Sequence, residues 1–133
     1  MSTTSLPAVL TLADAKRAAA EVVAEMGEDH IYERHPFGDP EAGEDRCQYV
    51  WNGQPDCIVA RILTRLNLTT VAGLERVEGQ SARGLFMTPS FLRPFSLDLR
   101  ADPRAIDYLD CLQIWQDEGT PYGECLAIAN DLY

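Results

Sequence analysis

Ile58, Val59, Ile62, Leu63 and Leu66 recur at steps of three and four residues, with Arg61 and Arg65 one turn apart on the other side. That spacing predicts an amphipathic helix. An apolar face of this width is stable only when it is buried against other elements. The segment leading into it is β-prone over Cys47 to Trp51 and carries a turn signal at Asn52-Gly53. Pro55 has no N–H to give a strand ladder, but it suits the first turn of a helix. The sequence therefore reads as strand, turn and helix, with the helix starting at Pro55-Asp56, rather than as a full hairpin. Asn67 marks its end.

Similar signals punctuate the rest of the chain. Thr11 with Asp14 three residues on predicts a capped helix start, and Gly27 predicts its stop. Leu12, Ala15, Ala19, Val22 and Met26 form the apolar stripe between them. Thr69 or Thr70 caps a short helix reaching Val77. Phe95, Leu97 and Leu99 alternate with Ser96, Asp98 and Arg100, which predicts a half-buried strand able to pair with Cys47 to Trp51. Asp102-Pro103 combines an acidic cap with proline at the first helical position. After it, Ala105, Ile106, Tyr108, Leu109, Leu112 and Trp115 are expected to point inward, with Asp107, Asp110 and Asp117 outward. Gly119 ends that helix and Thr120-Pro121 opens another, completed by Leu126, Ile128, Ala129 and Leu132. The expected fold is α+β: a helix-dominated single domain over residues 1–133, with a small two- or three-stranded sheet and a C-terminal helical hairpin. Residues 1–10 are expected to form a flexible arm.

At 133 residues the chain can bury a modest core without staples. No apolar run is long enough to span a membrane, and the N-terminus has no basic region ahead of its short apolar run. A cytoplasmic setting is expected. The net charge of −10 is unevenly spread. Residues 21–57 hold ten acids against Arg34 and Arg46, residues 58–104 carry a slight basic excess, and residues 105–133 hold six acids and no base. This argues against direct nucleic-acid binding, which needs a basic footprint. It favours a partner with a basic surface, and a homodimer is compatible with it.

Residues 28–46 are expected to be a long loop, broken by Pro36, Gly38, Pro40 and Gly43. Ile31, Tyr32 and Phe37 sit among its charges, and long connections with aromatic content are more often functional than idle. Tyr32, Phe37, Glu41 and Glu44, with the adjoining Tyr49 and Trp51, are the expected partner-binding residues. His30 and His35 are the only histidines, and their spacing fits no helical zinc pair. No two of Cys47, Cys57, Cys111 and Cys125 have zinc-knuckle spacing. The thiols are expected to be reduced, with no metal and no cofactor. Phosphate loops and serine-nucleophile motifs do not occur, so no catalytic residues are assigned.

Two phrases carry a resemblance. One is Cys47-x-Tyr49 followed by Gly53-x-Pro55-x-Cys57-Ile58-Val59. The other is Gln113-x-x-Gln116-Asp117-x-Gly119-x-Pro121-Tyr122. Together they resemble a group of small proteins encoded by actinobacteriophages and their hosts. That group's pattern has glycine where this chain has Ala60 and tryptophan where it has Tyr122. The resemblance covers a minority of the chain and implies no activity. It implies an accessory role in a host cytoplasm, with which the use of ten arginines against the single Lys16 agrees. The expected function is non-enzymatic binding of a host protein. Two alternatives stand beside it. One is an acidic DNA-mimicking inhibitor of a nucleic-acid-binding protein. The other is a small cysteine-dependent enzyme, with Cys57 at a helix N-terminus and His30 or His35 as its base.

Overall fold

The computed structural model describes residues 9–33, 48–75, 82–86 and 100–133. In chain order these form β1 (Val9–Leu10), α1 (Leu12–Met26), β2 (Val50–Trp51), β3 (Gln54–Pro55) and α2 (Ile58–Arg65). Then come α3 (Val71–Glu75), α4 (Ala82–Phe86), β4 (Arg100–Ala101), α5 (Pro103–Asp117) and α6 (Tyr122–Leu132). The fold is helix-dominated α+β, with two small strand pairs and α5 and α6 packed as a hairpin.

The organising element is α5. It packs against α1, α2, α4 and α6. It presents Ala105, Tyr108, Leu109 and Leu112 to a core that includes Ala15, Ala19 and Val22 of α1 and Ile58, Ile62 and Leu63 of α2. The alanine stripe of α1 lets helix backbones approach closely.

Three helices start where their own sequence says they should. The Thr11 hydroxyl accepts from Asp14 N at 3.1 Å, Thr70 from Gly73 N at 3.1 Å, and the Asp102 carboxylate from Arg104 N at 2.9 Å. Gly27 and Gly119 adopt positive φ at the predicted helix stops, and so does Asn67 after α2.

The strand expectations need correction. Val50–Trp51 pairs with Gln54–Pro55 in a tight antiparallel hairpin, where a strand leading straight into a helix was expected. Asn52 and Gly53 both have positive φ, as a two-residue hairpin turn of this kind requires. Pro55 is tolerated because of register. It lies opposite Val50, and the ladder passes over it through Asp56 N to Tyr49 O at 2.8 Å. A proline in a non-hydrogen-bonded pair gives up no ladder bond. The helix consequently begins later than expected, with Cys57 as N-cap. Val9 and Leu10 are not part of an arm. They pair in parallel with Arg100 and Ala101, and Asp102 N continues the pairing to Leu10 O at 2.9 Å. The expected strand over residues 95–99 and most of the loop over residues 28–46 lie outside the described residues.

Candidate functional site

The two resemblance-bearing phrases meet in space, and buried glutamines join them. Gln116 Oε1 accepts from Ile58 N at 2.7 Å and from the Tyr122 hydroxyl at 3.0 Å. Gln113 Oε1 accepts from Ala82 N at 2.6 Å, while its Nε2 donates to the Tyr49 hydroxyl at 3.1 Å. One helix therefore supplies side-chain acceptors to the opening amides of two others, α2 and α4. The N-terminus of α6 is served by main chain instead. Tyr122 N donates to His30 O at 2.8 Å and Gly123 N to Glu28 O at 2.9 Å. The approach is close: a Cβ at Gly123 would lie 2.8 Å from Glu28 Cβ. These are the orphan donors that every helix start leaves, met here by residues distant in sequence. Helical periodicity does not single out Gln113 or Gln116; in the sequence they stand out only as members of the second phrase.

This arrangement decides where several expected site residues lie. Tyr49 is fully buried, its hydroxyl held by Gln113. Tyr32 is buried too, and its hydroxyl accepts from Gln48 N at 2.9 Å. Both tyrosines belong to the core, which leaves them no free surface to offer a partner. Trp51 is half-buried beside the hairpin turn. Phe37, Glu41 and Glu44 lie outside the described residues.

Among the described residues the exposed large apolar side chains are Ile31, Leu132 and an adjacent pair at the far end of α5. Ile114 is 53% exposed and Trp115 39% exposed. The inward position expected for Trp115 is thus corrected: the arc facing the neighbouring helices runs through Leu112, Gln113 and Gln116. Asp110 and Glu118 are placed one helical turn before and after Ile114, with Asp117 beside them. Arg83 of α4 bridges to Asp107 at 2.5 Å and Asp110 at 3.9 Å, and its hydrogen bond to Asp107 raises its pKa further. Arg65 pairs with Glu21 and Glu25 of α1 in the same way. Part of the acidic surface is therefore neutralised in place.

Cys57, Cys111 and Cys125 are buried. The Cys57 side chain is fully buried at the start of α2, and His30 packs its ring edge-on against Tyr122 at 4.8 Å between centroids. Among the described residues no group of three or more His, Cys, Asp or Glu side chains is placed to hold a metal ion. Among them, too, no helix is long and apolar enough to cross a membrane. Burial raises the Tyr32 and Tyr122 hydroxyls above the ordinary phenol range and raises the Cys111 thiol. It pushes Tyr108 up to about 12 and Cys125 up to about 11.

These shifts fix a pH dependence. The unfolded chain releases the Cys125 and Tyr108 protons near 9.0 and 10.0, while the folded chain holds them. Their contribution to stability is complete below that range and is lost as pH rises toward 12. The urea midpoint should fall through this interval, and Tyr108→Phe should flatten part of the fall. A midpoint independent of pH up to about 11 would contradict the assignment.

Comparison with known protein families, curated proteins and solved structures finds no match to this chain.

Proposed function

We propose that the chain is a non-enzymatic accessory protein that docks onto another protein through the outer end of α5. Ile114 and Trp115 act as apolar anchors. Asp117 and Glu118 supply an acidic rim, so the partner carries an apolar recess bordered by basic residues. A host protein is the partner that the resemblance to actinobacteriophage proteins implies. The observation that supports this reading is the exposure of two adjacent large apolar side chains on a helix whose other apolar residues are mostly buried. Contiguous exposed apolar surface rimmed by polar residues marks interaction sites, and tryptophan is enriched among binding hot spots.

The test uses the intact protein as bait in an actinobacterial lysate, followed by rate measurements with the purified partner. Trp115→Ala, checked for fold by circular dichroism, should raise the off-rate by about tenfold or more. Glu118→Lys should mainly slow association, and most strongly at low salt. Unchanged rates for Trp115→Ala combined with a loss for Trp51→Ala would move the site to the hairpin. A dimer in sedimentation that Trp115→Ala dissolves would make a second copy the occupant, and the proposal would fail.

A further inference from the structure

We propose that the open cleft between α1, β3 and α2 is a binding site for a small aliphatic monocarboxylate, anchored by Arg61. This site uses neither Ile114 nor Trp115 and stands apart from the docking face. The cleft encloses about 320 Å³ and is lined by Val22 and Glu25 of α1, Pro55 of β3, and Arg61, Thr64 and Arg65 of α2. Its volume falls in the range of small-molecule sites.

The two arginines differ in what they are free to do. Arg65 is committed to Glu21 and Glu25. Among the described residues Arg61 is held by one bond, Nε donating to Asp56 O at 3.1 Å. Its terminal amino groups meet no carboxylate among the described residues, although the chain carries 21 acids against 11 bases. The Asp56 carbonyl fixes the guanidinium plane, so the outer edge of the fork is ordered before any ligand arrives. An ordered guanidinium edge matches a carboxylate with two parallel hydrogen bonds, and pre-ordering lowers the entropy lost on binding.

The rest of the lining narrows the ligand. Pro55 offers apolar wall for a short aliphatic group, with Val22 buried beneath the cleft. The Thr64 hydroxyl already donates to Ala60 O at 2.9 Å. The Glu25–Arg65 pair leaves Arg61 as the lining's uncompensated charge among the described residues, which matches a single negative charge on the ligand. A monoanion with a small branched tail fits; a phosphate dianion does not.

The probe is isobutyrate, titrated into the intact protein at constant ionic strength by exchange with chloride. Isobutyramide is the neutral isostere, and inorganic phosphate is the dianion. The readout is the Arg61 Nε–H NMR resonance, assigned with Arg61→Lys, alongside the thermal midpoint. Isobutyrate should move the resonance saturably and raise the midpoint, since a ligand bound only by the folded state stabilises it. Isobutyramide should do neither, and phosphate should bind about tenfold more weakly or worse. Arg61→Lys keeps the charge and loses the fork, so isobutyrate affinity should fall about tenfold. Equal responses to isobutyrate and isobutyramide overturn the proposal, as does phosphate binding more tightly than isobutyrate. If Arg61→Lys does not fold, the three titrations of the unmodified protein decide the matter.

Discussion

Gln116→Leu is expected to destabilise the protein by roughly 3–5 kcal/mol, because two buried donors lose their shared acceptor and each orphan costs about 1–3 kcal/mol. The donors are Ile58 N, at the start of α2, and the Tyr122 hydroxyl, near the start of α6. Leucine matches the size of glutamine, so the change removes hydrogen bonding and leaves packing nearly intact. Tyr122→Phe removes one of the two orphans. The double variant should therefore lose less than the sum of the two single variants, and the difference measures the shared bond. Urea denaturation reads all three. A loss below about 1 kcal/mol for Gln116→Leu would mean that solvent reaches the start of α2 and that the core is not sealed there.

Leu109→Ala should cost roughly 2–5 kcal/mol, the range for a large aliphatic side chain removed from a packed core. Leu109 is 0% exposed, on the helix that touches α1, α2, α4 and α6. Neighbours on several sides limit collapse into the void, which favours the upper part of the range. Leu132 is the internal control. It is 61% exposed at the end of α6, and its replacement by alanine should stay within about 0.5 kcal/mol. If the two variants prove alike in chemical denaturation, the inward face of α5 has been assigned wrongly.

What could be read in the sequence follows from how far each interaction reaches along the chain. The starts of α1, α3 and α5 are capped by Thr11, Thr70 and Asp102, two or three residues from their partners, and local patterns find them. The starts of α2, α4 and α6 are met by Gln116, Gln113 and the Glu28 and His30 carbonyls, all remote in sequence. No local rule reports such bonds, so nothing in the sequence marked Ile58 as the start of α2. Pro55 was misread for a related reason. Its missing donor is visible in the sequence, but whether that donor is needed depends on register. Tyr32 and Tyr49 looked like recognition residues because they are aromatic and lie close to charged or turn-forming segments. Their buried hydroxyl partners, Gln48 N and Gln113 Nε2, appear only in the fold. Trp115 is the converse case. Helical spacing placed it with Leu112, but the inward arc of α5 turns toward the helix starts that Gln113 and Gln116 serve.

The parallel pairing of Val9–Leu10 with Arg100–Ala101 has a kinetic consequence. Bringing Val9 to Arg100 closes a loop that contains α1 through α4, and the entropy of closing so long a loop must be met before the short pairing returns anything. The helical hairpin of α5 and α6 involves only near neighbours and needs no such closure. Assembly should therefore begin around α5, with α6 and then α1 and α2 docking onto it, and the strand pair should zip last. The same ordering run backwards makes that pair the first part of the fold to open, releasing the start of α1 from the start of α5 while the packed helices persist.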